Sequence, residues 1–226
     1  MQLVNLNSKN SLNYKTRKKR IKFLVDFIEK VLSKEKIKTL KIGDIGGTFL
    51  YWEMFPFEKF SSVTFEITLI NIEEYKFFEY QNQQKFPNAI FNTLVGDACN
   101  LQQVKDNAYD IAHSNSVIEH VGNWERIKMF GNEVKRVAKY YYIQTPNYWF
   151  FVEPHQVLPF VHWLPRPIHT RFLMAFKKFD YDKATTMFEQ NRMLSKKEFK
   201  YVFKDSHLIT EKFYLFPKSF IVTNNF

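Results

Sequence analysis

The segment Lys41-Ile42-Gly43-Asp44-Ile45-Gly46-Gly47-Thr48 decides the fold of this chain. It is a short apolar run that ends in a carboxylate and two glycines, and it predicts a strand that turns into a helix. Glycines permit the tight turn and let a ligand approach the backbone, while the carboxylate of Asp44 can hold a cationic or hydroxyl-bearing group. The same segment also suits a plain strand-to-helix turn, so it does not specify a ligand by itself.

Four further apolar runs follow this one, and segments of helical character separate them. The alternation predicts a parallel sheet with helices on both faces and a binding crevice outside the carboxyl ends of the strands. The predicted strands are Thr39 to Ile45, Phe65 to Ile72, Ala89 to Val95, Tyr109 to His113 and Tyr140 to Gln144. The predicted helices are Thr16 to Leu32, Phe49 to Phe57, Glu73 to Gln84 and Ser116 to Ala138.

The pattern changes after Pro146 to an aromatic stretch with several prolines. Two helices, Pro167 to Lys178 and Ser195 to Asp205, are predicted beyond it. Two late strand-like runs, Leu208 to Leu215 and Phe220 to Thr223, suggest a closing hairpin that turns at Pro217-Lys218.

The charge of the chain is unevenly distributed. Its net charge is +10 over 226 residues, but residues 42–160 hold 9 basic and 14 acidic side chains, so the basic excess lies in the flanks. Lysines dominate that excess, whereas specific phosphate and base recognition depends on the arginine fork. We therefore expect nucleic acid to be a less favoured partner than an anionic small molecule or a membrane surface.

The composition also restricts the class of protein and its compartment. The one cysteine, Cys99, excludes an internal disulfide and a zinc site built from several cysteines, and it fits a reducing compartment. The N-terminus shows no signal-peptide pattern, and the most apolar stretch, Tyr140 to Phe160, contains prolines and polar residues that a membrane span would not carry. We expect a cytoplasmic protein, in contact at most with the inner membrane face, and no metal site.

Polar residues follow each predicted strand, at the edge where a ligand of such a sheet binds. The second strand ends in Asn71-Ile72, the third in Gly96-Asp97-Ala98 and the fourth in Ser114-Asn115-Ser116-Val117-Ile118-Glu119-His120. In this order the parts resemble the class I S-adenosylmethionine-dependent methyltransferases, and especially the small-molecule branch called the methyltransferase-11 type. The resemblance covers about residues 39–145 and implies a Rossmann-like α/β fold, with S-adenosylmethionine as cofactor.

The resemblance also assigns roles to individual residues. It places the glycine loop and the end of the fourth strand at the methionine part of the cofactor, the end of the second strand at the ribose, and the end of the third at the adenine. The chain departs from the family at Thr48, where a second loop glycine is usual, and at Asn71, where an acid is usual. The implied cofactor-binding residues are Asp44, Gly46, Gly47, Asn71, Ile72, Asp97, Ala98, Ser114, Asn115 and His120.

The sequence shows no internal repeat and no low-complexity linker, which predicts a single domain over residues 1–226. Its parts are a helical extension at 1–38, a cofactor-binding core at 39–145, substrate-side helices at 146–205 and closing strands at 206–226. Its antiparallel hairpin completes a mostly parallel sheet.

The reaction implied is methyl transfer to a hydroxyl or an amine of a small molecule, a glycan or a lipid-linked intermediate. A hydroxyl acceptor benefits from a general base, and the candidates are His120 and His155. Cys99 follows the adenine loop directly and is interpreted as a buried structural thiol. Two alternatives stay open: a tRNA or rRNA methyltransferase that grips phosphate with the basic flanks, and a catalytically silent Rossmann-like binding protein.

Overall fold

A computed structural model describes residues 12–74, 85–153 and 158–226 of the chain. Its centre is a seven-stranded sheet with the strand order β3-β2-β1-β4-β5-β9-β8, and β6 and β7 form a separate pair. The strands are β1 (Thr39–Ile45), β2 (Thr64–Asn71), β3 (Ala89–Val95), β4 (Tyr109–Asn115), β5 (Ala138–Pro146), β6 (Val152–Glu153), β7 (Leu158–Pro159), β8 (His207–Phe213) and β9 (Phe216–Thr223).

The first five strands pair in parallel, and β9 runs antiparallel to both β5 and β8. Helices cover both faces of the sheet, and the parallel strands carry apolar side chains on both faces for this reason. The predicted Rossmann-like fold with a closing antiparallel hairpin is confirmed. The turn of that hairpin was predicted at the wrong place, because Pro217 is paired with Lys212 within the ladder and Tyr214, at a φ of 53°, makes the turn.

The helices are α1 (Leu12–Glu35), α2 (Phe49–Trp52), α3 (Trp124–Val137), α4 (Arg166–Lys177), α5 (Tyr181–Glu189) and α6 (Lys196–Val202). The helix predicted after β4 begins eight residues later than expected, since Asn123 caps it and a 3₁₀ helix, Ile118–His120, precedes it. The helix α2 is short, and Phe57–Phe60 follows as a 3₁₀ helix after Pro56. The prediction missed α5, and the helix predicted at Glu73 to Gln84 lies mostly outside the described residues.

The core has one layer on each face of the sheet. The layer under α1 is rich in aromatic rings, including Trp52, Phe57 and Tyr142, and the layer under α3 and α6 includes Phe130 and Phe199. Edge-to-face contacts are frequent in the first layer and contribute about 0.5–1.5 kcal/mol each beyond the buried area. This explains the high phenylalanine content without any functional role for most of the rings.

The helix α1 runs antiparallel to the neighbouring strands. Glu35 at its end contacts Lys139 at the start of β5, whereas Arg20 contacts Asn115 at the end of β4. Residues 12–19 therefore extend past the carboxyl edge of the sheet, by about 1.5 Å per residue. The exposed Lys18 and Lys19 of α1 therefore lie on the side of the predicted crevice.

Candidate cofactor crevice

The strand order brings four predicted site segments into one row. Asp97, Asn71, Gly46 and Asn115 follow β3, β2, β1 and β4, which are neighbours in that order. Because adjacent strands lie about 4.8 Å apart, the row extends over about 14 Å of the carboxyl edge. A row of this length suits an extended ligand better than a compact one.

Asp44 lies beneath this row. Its side chain is buried, with Oδ1 2.6 Å from His113 Nδ1, and Oδ2 accepts a 2.7 Å hydrogen bond from Trp52 Nε1. The other ring nitrogen of His113 lies 3.3 Å from the Tyr51 hydroxyl. This network fixes the end of β1 beneath the glycine turn. No sequence pattern pointed to Trp52 or His113.

Both glycines of the turn are required by close packing. A Cβ at Gly47 would lie 1.9 Å from Asp44 Oδ2, and a Cβ at Gly46 would lie 2.4 Å from Val117 Cγ2. Gly46 also has a φ of 70°, which disfavours other residues, and its N–H donates to the Ile70 carbonyl. The turn is therefore held between Asp44 below and Val117 beside it.

Asn71 has a structural reason to be an amide. Its Nδ2 donates a 3.0 Å hydrogen bond to the Gly47 carbonyl, and a carboxylate could not donate there. The departure from the usual acid thus ties the end of β2 to the glycine turn. The half-buried Asn71 stays within reach of a ligand, as does the neighbouring Ile72, whose side chain is 72% exposed.

Asp97 forms an ion pair with Arg126, a contact that the sequence did not predict. Arg126 Nη2 lies 2.8 and 3.0 Å from the two carboxylate oxygens, and the Cys99 N–H donates to Oδ1. Burial alone would raise the pKa of Asp97, but the Cys99 N–H and the Arg126 guanidinium outweigh it and lower the pKa. A charged Asp97 beside the half-buried Ala98 can accept a hydrogen bond from an amino group at this end of the row.

Ser114 and Asn115 both lie at the end of β4, but they differ in burial. The buried Ser114 hydroxyl donates to the Ile45 carbonyl at 2.9 Å and joins β4 to β1. Asn115 Oδ1 accepts a 2.6 Å hydrogen bond from Arg20 Nη1, so the first helix reaches the methionine side of the predicted site. The Ser114 hydroxyl is therefore engaged with β1, and Asn115 is half-buried at the edge of the crevice.

The two candidate bases differ in what can be said of them. His120 is exposed on the 3₁₀ helix after β4, and its Nδ1 lies 3.1 Å from the Gln190 carbonyl. His155 lies outside the described residues. His120 therefore shares the carboxyl edge with the crevice.

The hydrogen-bond donors and acceptors along the row of strand ends suit S-adenosylmethionine. Asn71, Asp97 and Asn115 offer amide and carboxylate groups to hydroxyls, an exocyclic amine and an ammonium group, and the acidic core suits a cation. Asp44 and Ser114 fit as the layer that holds these groups in place.

Residues 54–140 match a family model described as a methyltransferase domain. This segment begins just after the glycine turn and includes the ends of β2, β3 and β4. Residues 54–140 of the chain are therefore a methyltransferase domain. The predicted family, and S-adenosylmethionine as the cofactor of this domain, are confirmed.

Solved structures share the fold of this methyltransferase domain. An O-methyltransferase family protein from Burkholderia thailandensis is 9% identical, with a TM-score of 0.51 over 82% of this chain and 50% of that chain. DszA carbon methyltransferase is 12% identical, with a TM-score of 0.60 over 96% of this chain and 55% of that chain. The chain thus spans about half the length of these structures. A comparison with curated protein sequences finds no match.

Residues 12–74, 85–153 and 158–226 contain no helix with the length and apolar character that a membrane crossing requires. The same ranges contain no group of three or more His, Cys, Asp or Glu side chains placed to bind a metal ion.

Cys99 provides a test of the loop after β3. The thiol is 2% exposed and donates to the Arg126 carbonyl, and burial raises its pKa to about 11. Because the thiolate is the reactive form, we expect alkylation by iodoacetamide at pH 8 to be about 100-fold slower in the folded protein than in denaturant. Mass spectrometry of the single cysteine measures both rates. Equal rates would contradict the buried structural thiol.

Proposed function

We propose that the domain transfers a methyl group to a hydroxyl or amine of an anionic small molecule, glycan or lipid-linked intermediate. The observation that carries this proposal is a cleft of about 580 Å³ beside the segment that follows β5. Aromatic and basic side chains line it together. Its lining residues are Tyr148, Trp149, Arg192, Met193, Ser195, Lys196, Lys197 and Glu198.

The cleft is joined to the carboxyl edge of the sheet. The Tyr148 N–H donates to the Leu194 carbonyl at 3.1 Å, and the Arg192 N–H donates to the Glu119 carbonyl at 2.8 Å. The segment 190–194 thus lies against the loops that follow both β4 and β5. His120, next to Glu119, therefore lies beside the segment 190–194.

The charge of the lining favours an anion. Arg192, Lys196 and Lys197 are exposed, whereas the carboxylate of Glu198 accepts hydrogen bonds from the backbone and hydroxyl of Ser195. A phosphate or carboxylate on the acceptor would meet these cations, and the rings of Tyr148 and Trp149 can stack on a sugar or an apolar group.

The chemistry needs little from the protein beyond positioning. Bound S-adenosylmethionine supplies an electrophilic methyl group, and in-line alignment of an acceptor accounts for most of the rate. A base near neutral pH assists a hydroxyl. The Gln190 carbonyl can only accept, so the neutral His120 ring carries its hydrogen on Nδ1 and its lone pair on Nε2. His120 is our candidate for this base.

Calorimetric titration with S-adenosylhomocysteine tests the cofactor row. We expect micromolar binding, weakened about tenfold in Asn71→Ala, because the variant loses both a ligand contact and the bond to Gly47, equivalent to about 1.4 kcal/mol. Asn92→Ala, at an exposed position of β3, is the matched control and should bind like the wild type. Absence of micromolar binding would contradict cofactor binding, and equal affinity of Asn71→Ala would contradict the assigned row.

Transfer of labelled methyl groups tests the acceptor class. Sugar phosphates and the corresponding neutral sugars serve as paired probes, and tRNA serves as the nucleic-acid probe. Incorporation into phosphorylated acceptors that falls in Lys196→Glu/Lys197→Glu, at unchanged affinity for S-adenosylhomocysteine, supports the proposal. Incorporation into tRNA alone, with strong salt dependence, would favour the RNA alternative.

A further inference from the structure

We propose that an exposed aromatic patch beside the cleft docks onto an anionic lipid bilayer. We call this patch the aromatic rim and define it by large side chains with high exposure. Trp149 is 66% exposed, Phe160 51%, Trp163 38%, Tyr214 86%, Leu215 87% and Phe216 60%.

The rim is one continuous surface. Ring centroids of Trp149 and Trp163 are 6.2 Å apart, and those of Trp163 and Phe160 are 5.2 Å apart. The ring centroid of Phe151 lies 6.4 Å from that of Phe160 and 5.7 Å from that of Phe216, so Phe151 connects these two residues. Scattered exposed apolar residues are ordinary on a protein surface, but a contiguous patch of this kind marks an interaction site.

The rim lies at the functional edge of the sheet. β8 runs parallel to β5, so the hairpin tip at Tyr214-Leu215 lies beyond the carboxyl ends of the strands, as does Trp149 after β5. Trp149 belongs to both the rim and the cleft. A surface that covers the rim therefore also faces the cleft.

The surrounding charge identifies the occupant. Residues 161–226 hold 12 basic and 6 acidic side chains. Four of those acids are engaged: Asp180 caps α5, Glu189 pairs with Arg166, Glu198 binds Ser195 and Glu211 pairs with Arg20. The exposed Lys196 and Lys197 line the cleft together with Trp149, and the exposed Lys212 lies on β8 close to the hairpin tip.

Aromatic side chains bordered by lysines suit the headgroup region of an anionic bilayer. Tryptophan and tyrosine prefer the membrane interface, and basic residues add attraction to acidic lipids. Trp163 Nε1 already donates to the Tyr148 carbonyl, so insertion of its ring would leave no unpaired N–H. The inference stands apart from the proposed function, because vesicle binding requires no cofactor and no acceptor.

Vesicle co-sedimentation of the full chain tests this inference. We expect binding to vesicles of phosphatidylglycerol and phosphatidylcholine at 0.1 M salt, and binding at least about tenfold weaker to pure phosphatidylcholine, because lysines contribute attraction only to acidic lipids. We expect Tyr214→Asn/Leu215→Ser to weaken binding to the anionic vesicles about tenfold. Asparagine tolerates the left-handed conformation of residue 214, so the hairpin should still form.

The matched control is Ile90→Ser, an exposed apolar residue of the far edge strand β3. Its vesicle binding and its thermal unfolding should equal those of the wild type. Failure of the wild type to bind anionic vesicles would overturn the inference, as would equal binding by the hairpin variant. Sedimentation velocity measures whether the chain forms a dimer. A wild-type dimer that is absent in the hairpin variant, together with no vesicle binding, would overturn the inference and assign the aromatic rim to a second copy of the chain.

Discussion

Replacing Arg20 with methionine is expected to lower the free energy of unfolding by about 3–5 kcal/mol, since one partner of a buried ion pair is removed. Arg20 Nε and Nη2 lie 3.1 and 3.0 Å from Glu211 Oε2, and the side chains of Arg20 and Glu211 are each 8% exposed. The variant would leave the carboxylate of Glu211 buried, and among the described residues only the Ser219 hydroxyl would still donate to it. It would also remove the Nη1 hydrogen bond to Asn115.

Chemical denaturation measures this loss, and two further variants separate its causes. Arg171→Met, at an exposed position of α4, should change stability by less than about 0.5 kcal/mol. The double variant Arg20→Met/Glu211→Met should recover part of the loss, because no charge is then left unpaired. Equal stability of Arg20→Met and Arg171→Met would show that the pair does not secure α1.

The Arg20–Glu211 pair also shows where sequence reasoning ends. The helix α1, its basic start and the strand-like run of β8 were predicted from local pattern, yet the two charges are 191 positions apart. No periodicity connects such positions, because their contact depends on how α1 crosses the finished sheet. The same limit applies to Arg126, which reaches Asp97 from a helix 29 positions away.

The sequence predicted the position of the crevice better than it predicted the contacts that hold the crevice residues in place. The strand ends at Asn71, Asp97 and Asn115 lie in one row because parallel strands end at one edge, which follows from the alternation of elements. Asp44 was expected to face the ligand because it ends β1. That role stays a prediction, but the sequence did not indicate that Trp52 would contact Asp44, since α2 is only one turn long and its last residue, Trp52, points back under the glycine turn. The sequence could not supply that direction.

Gly47→Ala is expected to disturb folding and cofactor binding together. The new Cβ would lie 1.9 Å from Asp44 Oδ2, and this carboxylate cannot retreat without breaking its hydrogen bonds to Trp52 and His113. The glycine turn must therefore move. We expect this shift to lower the free energy of unfolding by about 1–3 kcal/mol, as overpacking of a well-packed core does. Since the turn forms the methionine side of the row, we also expect affinity for S-adenosylhomocysteine to fall at least about tenfold.

A double-mutant cycle isolates the clash from other effects of the substitution. Asp44→Ala is itself destabilising because it leaves the Trp52 N–H unsatisfied, but it removes the atom that the new Cβ at position 47 would meet. Adding Gly47→Ala to it should therefore cost much less stability than in the wild type. Thr48→Ala is the neighbouring control: its side chain makes no cap hydrogen bond with described residues, so stability should hold. Strict additivity of Asp44→Ala and Gly47→Ala would mean that the carboxylate does not fix the turn, and Asp44 would then be free to meet the ligand directly.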